Sequence, residues 1–301
     1  MSMVQYGLWP NCCNACKFCL RKERIPLERD AMFKRIYNVQ RNLDYVDWKD
    51  KFKHGISILG GEIYFIEDVE LQNAYLALID DIIEKVLKPK YFEHVKYSTV
   101  SNGIYDTTFL FKVMDKIVSQ CGIGAVDFNV SYDLKYRFQT EADRLRCIKT
   151  INDFHQRYNY KVGVQMILTQ YVIDAINKGE FSIDKFEQET CPGSILTFLY
   201  PHKIAKELGT LPDFFFKRSD FINFISKFSE THPEHFLNFK YSVINSSKFK
   251  YTGLREKGDD ASQAPVLSDD KNVYMSCGHS VLYKCYSDSN ECMLCDVEEF
   301  Y

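Results

Sequence analysis

Trp9-Pro10-Asn11-Cys12-Cys13-Asn14-Ala15-Cys16-Lys17-Phe18-Cys19 decides how this chain reads. It follows a β-prone run, Val4–Trp9, and places four cysteines within eight residues. Cys12, Cys16 and Cys19 are spaced C-x3-C-x2-C, whereas Cys13, Cys16 and Cys19 are spaced C-x2-C-x2-C; spacing alone leaves both sets open. Three thiolates on one short loop suit three irons of a [4Fe–4S] cluster. A mononuclear structural zinc takes four ligands, so a three-cysteine set implies a distant fourth ligand or an open metal position.

Outward from this loop, β-prone runs recur at Gly55–Leu59, Val95–Ser101, Ala125–Tyr132, Lys161–Thr169 and Ser194–Tyr200. The segments between them are long enough for helices. The clearest helix spans Asp68 to Lys88, where Leu71, Ala74, Tyr75, Leu78, Ile79, Ile82, Ile83, Val86 and Leu87 recur at helical spacing. Asp68 can cap its start and Pro89 stops it. Further helical patterns cover about Leu27–Asn42, Thr108–Ser119 and Glu141–Tyr158. Alternating strands and helices require parallel pairing with right-handed crossovers. Ligand sites in that architecture gather at the carboxyl ends of the strands. The reading is an α/β protein: a partial (β/α)6 barrel over residues 1–203, followed by a small metal-binding C-terminal extension over 204–301. Within that extension, Tyr241–Asn272 is polar and reads as a loop or linker.

The residues just after the strands carry a resemblance. Gly60-Gly61-Glu62 ends the second strand, Ser101-Asn102-Gly103 the third, and Ser131-Tyr132-Asp133 the fourth. With C-x3-C-x2-C after the first strand, these resemble, in order, the cysteine signature, the GGE motif, the T-N-G segment and the S-x-D segment of the radical S-adenosylmethionine (radical SAM) superfamily. The likeness covers roughly residues 1–200.

The resemblance selects Cys12 over Cys13 and implies a [4Fe–4S] cluster on Cys12, Cys16 and Cys19, with SAM docked on the open iron. It further implies that Phe18 packs the adenine, that Glu62 holds the methionyl ammonium, and that Gly60 and Gly61 let backbone approach the ligand. Asn102, Ser131 and Asp133 are implied as cofactor contacts, and Arg137 as partner of the methionyl carboxylate, with Arg144 competing for that role. The implied activity is reductive cleavage of SAM to a 5′-deoxyadenosyl radical that abstracts hydrogen from a substrate.

A second cluster lies in the tail: Cys277, Cys285, Cys292 and Cys295, spaced C-x7-C-x6-C-x2-C, with His279 nearby. Four thiolates within nineteen residues suit zinc or an auxiliary iron–sulfur cluster. Cys121, Cys147 and Cys191 stand alone and read as buried small hydrophobes.

Composition narrows the function. The net charge of −3 argues against a nucleic-acid partner, because non-specific affinity for phosphates rests on excess basic charge. No apolar run of membrane-spanning length and no secretory signal are visible, and the clustered, odd cysteine count points to a reducing compartment, so a cytoplasmic protein is expected; the resemblance implies that it is an oxygen-sensitive enzyme. Peptide-modifying members of the family carry C-terminal cysteine extensions, which makes a peptide or protein the first expected substrate. Nucleotide or nucleoside modification comes next. A glycyl-radical activating role is third, because no ferredoxin-like cysteine insertion follows the first cluster. A non-catalytic zinc or iron–sulfur adaptor would explain the cysteines but not the GGE segment. The chemistry requires a one-electron reductant such as flavodoxin or ferredoxin.

Overall fold

The computed structural model describes residues 2–16, 19, 26–46, 48, 53–89, 95–199, 218–239, 266–267 and 273–274. Six runs rich in β-branched and aromatic residues form parallel strands: β1 (Ser2–Gly7), β2 (Lys53–Leu59), β3 (Lys96–Ser101), β4 (Val126–Tyr132), β5 (Val162–Ile167) and β6 (Ser194–Leu199). Each pairs with its successor, so the order across the sheet is sequential. A sheet wound in one direction with right-handed crossovers keeps its helices on one face and leaves the other for a ligand. This succession is that of the expected partial barrel.

The helices between strands are α1 (Arg29–Leu43), α2 (Val69–Ile82), α3 (Thr108–Cys121), α4 (Glu141–Tyr158) and α5 (Gln170–Asn177). Asp68 caps α2, accepting from the N–H groups of Glu70 (2.9 Å) and Leu71 (3.0 Å). The apolar stripe that predicts α2 is the face it buries, including Leu71, Tyr75, Leu78 and Ile79. The expected helix does run on, but as a π-helical turn, Ile83–Leu87, that buries Ile83, Val86 and Leu87. Thr140 and Asp143 form a capping box at the start of α4.

The helix expected from Leu27 begins instead at Arg29. The Leu27 backbone is already engaged by the Asn11 side chain, whose Oδ1 accepts from Leu27 N (2.9 Å) and whose Nδ2 donates to Leu27 O (3.1 Å). Asn11 thereby closes the base of the cysteine loop. β1 ends at Gly7 rather than Trp9, and beyond it Leu8 N donates to Leu59 O (2.9 Å) and Trp9 O accepts from Gly61 N (2.7 Å).

Strand alternation separates two faces of the sheet. In β4, Val126, Phe128, Val130 and Tyr132 are buried in the core, while Asp127, Asn129 and Ser131 point the other way. Ser131, Gln165 and Thr197 are register partners across β4, β5 and β6, so they form a polar row on that second face. Two residues back on the same face, Gly163 leaves room for the Asn129 side chain: a Cβ there would lie 2.2 Å from Asn129 Oδ1.

After β6, a helix α6 (Arg218–Thr231) stacks Phe224 and Phe228 on each other (5.1 Å between ring centroids) and against Phe198 of β6. Part of the stretch read as linker supplies a two-residue strand, Val266–Leu267, parallel to β1, with Val273–Tyr274 antiparallel to it. The free edge of β1 offers unpaired backbone groups to such a segment. Among the described residues no helix is long and apolar enough to cross a membrane.

Candidate functional site

The carboxyl ends of β1 to β4 bring the predicted loops together. The turn after β2 lies directly on the cysteine loop: Gly61 N donates to Trp9 O, and Glu62 N to Asn11 O (2.8 Å). A Cβ on Gly61 would fall 2.2 Å from Asn11 O and 2.4 Å from Pro10 O; one on Gly60 would meet Ile63 Cγ2 at 2.2 Å and Trp9 O at 3.0 Å. The close approach that these glycines allow is to the loop's own backbone.

Glu62, delivered by this turn, is fully buried. Its Oε2 accepts from Asn102 N (2.7 Å) and Ser101 Oγ (3.2 Å), and Ser101 Oγ also pairs with Tyr105 OH (2.9 Å). The other oxygen, Oε1, is buried with no hydrogen-bond partner. Burial pushes the carboxyl up to about 8, against the Asn102 N–H, with the nearby Cys12 charge adding to the rise.

Asp133 is similar. Its Oδ1 accepts from Lys135 N (2.8 Å) and Tyr136 N, while Oδ2 is buried without a partner; burial raises its pKa. Among the described residues, each of the two motif carboxyls thus leaves one buried oxygen without a hydrogen-bond partner, and an unpaired buried acceptor costs about 1–3 kcal/mol.

Cys12 is exposed, Cys13 and Cys19 are half-buried and Cys16 is buried. Asn102 Nδ2 donates to Cys12 Sγ (3.6 Å) and Cys13 Sγ (3.5 Å), and Arg137 Nη1 to Cys16 Sγ (3.6 Å). Asn14 ties the loop to the segment after β4, donating Nδ2 to Arg137 O (3.1 Å). The Cys13 thiol beside it lowers Cys12 to about 6, helped by Asn14 N–H, the Arg137 charge and Asn102, against partial desolvation. The same contact with Cys12 raises Cys13, as does burial. Burial lifts Cys16 to about 11, opposed by Arg137.

Arg137 therefore sits over the cysteine loop, whereas Arg144 is engaged by Glu141 and by Tyr132 OH (3.3 Å) on the helical side. Ser131 lies on the polar face, one step before this group. Cys147 and Cys191 are buried as expected, and Cys121 is partly buried. Phe18, Cys277, Cys285, Cys292, Cys295 and His279 lie outside the described residues.

Among the described residues no three His, Cys, Asp or Glu side chains converge as ligands of one ion. Sulfurs around a tetrahedral zinc stand about 3.8 Å apart, while a four-iron cube holds its thiolates farther apart. Site residues not anticipated from sequence are Asn11, Asn14, Tyr105, Gln165 and Thr197. For the last two, the period-two polar pattern of β4 was an available signal, since parallel neighbours in register share a face.

No family model and no curated protein matches the chain. Solved structures do. Hexahistidine-tagged anSMEcpe with bound AdoMet aligns with a TM-score of 0.54 at 14% identity, covering 91% of this chain and 70% of the other. Native anSMEcpe with bound AdoMet gives 0.52 at 14% identity, covering 91% and 74%. Native anSMEcpe with bound AdoMet and Cp18Cys peptide gives 0.50 at 13% identity, covering 96% and 82%. The anSME protein is a radical SAM enzyme. On this likeness, the chain has the fold of the radical SAM enzymes.

Proposed function

We propose that this protein is a radical SAM enzyme in which Cys12, Cys16 and Cys19 hold a [4Fe–4S] cluster and the loops after β2, β3 and β4 hold SAM. The observation that carries the reading is the unpartnered Oε1 of Glu62. A buried carboxylate fixed by Asn102 and Ser101, with one oxygen unmatched, fits an ammonium group that would restore its charge and satisfy that oxygen. The unmatched Oδ2 of Asp133 fits a hydroxyl donor in the same way. When bound, the cluster and SAM together supply a 5′-deoxyadenosyl radical for hydrogen abstraction.

The chain's own residues orient and shield this chemistry. The backbone bonds from Gly61 and Glu62 fix the carboxylate relative to the cysteine loop. Arg137 offsets thiolate charge at Cys16. Tyr105 and Ser101 close the space behind Glu62, and a dry site prevents quenching of a reactive radical. The polar row of Ser131, Gln165 and Thr197 faces the side on which a substrate would lie. A peptide or protein is the substrate class we favour. A similar fold holds the Cp18Cys peptide in anSMEcpe, and the face here offers hydrogen-bonding side chains that suit a peptide backbone.

In this reading the protein works in a reducing compartment with a flavodoxin- or ferredoxin-like reductant. The tail cysteines Cys277, Cys285, Cys292 and Cys295 hold an auxiliary iron–sulfur cluster or zinc. Anaerobic reconstitution with iron and sulfide followed by reduction with SAM should yield 5′-deoxyadenosine. Cys16→Ala should abolish that product and the SAM-responsive cluster signal. A native protein restored by zinc alone, with no 5′-deoxyadenosine under reducing conditions, overturns the proposal.

A further inference from the structure

Asn102 joins the two halves of the site. Its backbone N–H donates to Glu62 Oε2, while its side chain, only 5% exposed, reaches the cysteine loop ninety residues earlier in the chain. The orientation of the amide is set from its other end, because Oδ1 accepts from Ile104 N (3.0 Å). Flipping the amide would turn an NH2 toward that backbone N–H and aim an oxygen at two sulfurs. Nδ2 is therefore the atom that faces Cys12 and Cys13.

The two neighbouring cysteines meet this amide differently. Cys13 donates its S–H to Asn102 Oδ1 (3.8 Å). Asn102 Nδ2 donates to both sulfurs, to Cys13 at 3.5 Å and to Cys12 at 3.6 Å, and Cys12 accepts a further bond from Asn14 N (3.4 Å). A ligating sulfur has no proton to donate and is stabilised by N–H donors, so the pattern suits Cys12 as ligand and Cys13 as thiol. Hydrogen bonds to a cluster's sulfurs also spread the negative charge added on reduction, which favours the reduced state.

We infer that Asn102 is a positioning residue that selects Cys12 over Cys13 as the first cluster ligand and raises the cluster's reduction potential through its N–H···S bond. The inference rests on the cluster proposed above and concerns the amide's action on sulfur, rather than on SAM.

The test uses the full chain, reconstituted anaerobically, following through a redox titration the EPR signal that changes when SAM is added. This restricts the measurement to the N-terminal cluster. Asn102→Ala should lower the midpoint potential by on the order of a tenfold change in the oxidised-to-reduced ratio, 59 mV for one electron. Asn102→Asp has the same shape and keeps an acceptor for Ile104 N, so it tests the idea even if the alanine variant fails to fold. It should lower the potential further, because a carboxylate then faces the sulfurs. Cys13→Ala should retain the signal and Cys12→Ala should lose it. Unmoved midpoints in the folded Asn102 variants overturn the inference, as does a cluster that survives Cys12→Ala but not Cys13→Ala. A wild-type protein with no SAM-responsive signal overturns the proposed function itself and this inference with it.

Discussion

Replacing Glu62 by Gln should stabilise the fold while weakening the site, and the two effects separate by pH. In the folded chain burial lifts the carboxyl from 4.5 to about 8. The folded state therefore binds the proton more tightly than the unfolded chain does. The stability Glu62 contributes is full below about 4.5 and is lost as pH rises toward about 8. At pH 7 the loss is about 3 kcal/mol, and at pH 5 about 1 kcal/mol. In Glu62→Gln this dependence disappears. The introduced amide can keep the acceptor for Asn102 N but places a donor where Oε1 had no partner, costing about 1 kcal/mol. The variant should match wild type near pH 5 and exceed it by about 2 kcal/mol at pH 7. Urea unfolding of the metal-free chain at pH 5, 6, 7 and 8 measures this. SAM binding to the reconstituted protein should fall at least tenfold, since a charge-assisted contact is worth about 1.5–3 kcal/mol. A stability difference that stays constant from pH 5 to 8 would refute the argument that burial governs this carboxyl. Unchanged SAM affinity would refute its role as the ammonium's partner.

Two further substitutions probe the scaffold. Gly61→Ala forces the turn after β2 away from Pro10 and Asn11 and breaks two backbone hydrogen bonds; about 2–3 kcal/mol should be lost, read as a fall in the denaturation midpoint together with weaker SAM binding. An alanine variant as stable as wild type would show that the loops need no such contact. Phe228→Ala removes a ring packed on Phe198 and Phe224 and should cost about 3–5 kcal/mol in urea unfolding; a loss below about 1 kcal/mol would mean that α6 contributes little to the core.

Much of this protein is written locally. The cysteine spacing, the alternation in Val126–Tyr132 and the helical stripe from Leu71 to Leu87 each report a periodicity that neighbouring residues impose on one another. Those periods determine the strands, the helices, their parallel succession and the ends at which chemistry gathers. Tertiary structure decided the rest. That Gly60 and Gly61 serve a loop–loop contact, that Asn11 delays α1, and that Asn102 reaches two sulfurs all depend on where separate strand ends stand relative to each other. The same holds for the charge state of Glu62: its neighbours in sequence are ordinary, and only burial among distant residues removes the water that would keep it ionised.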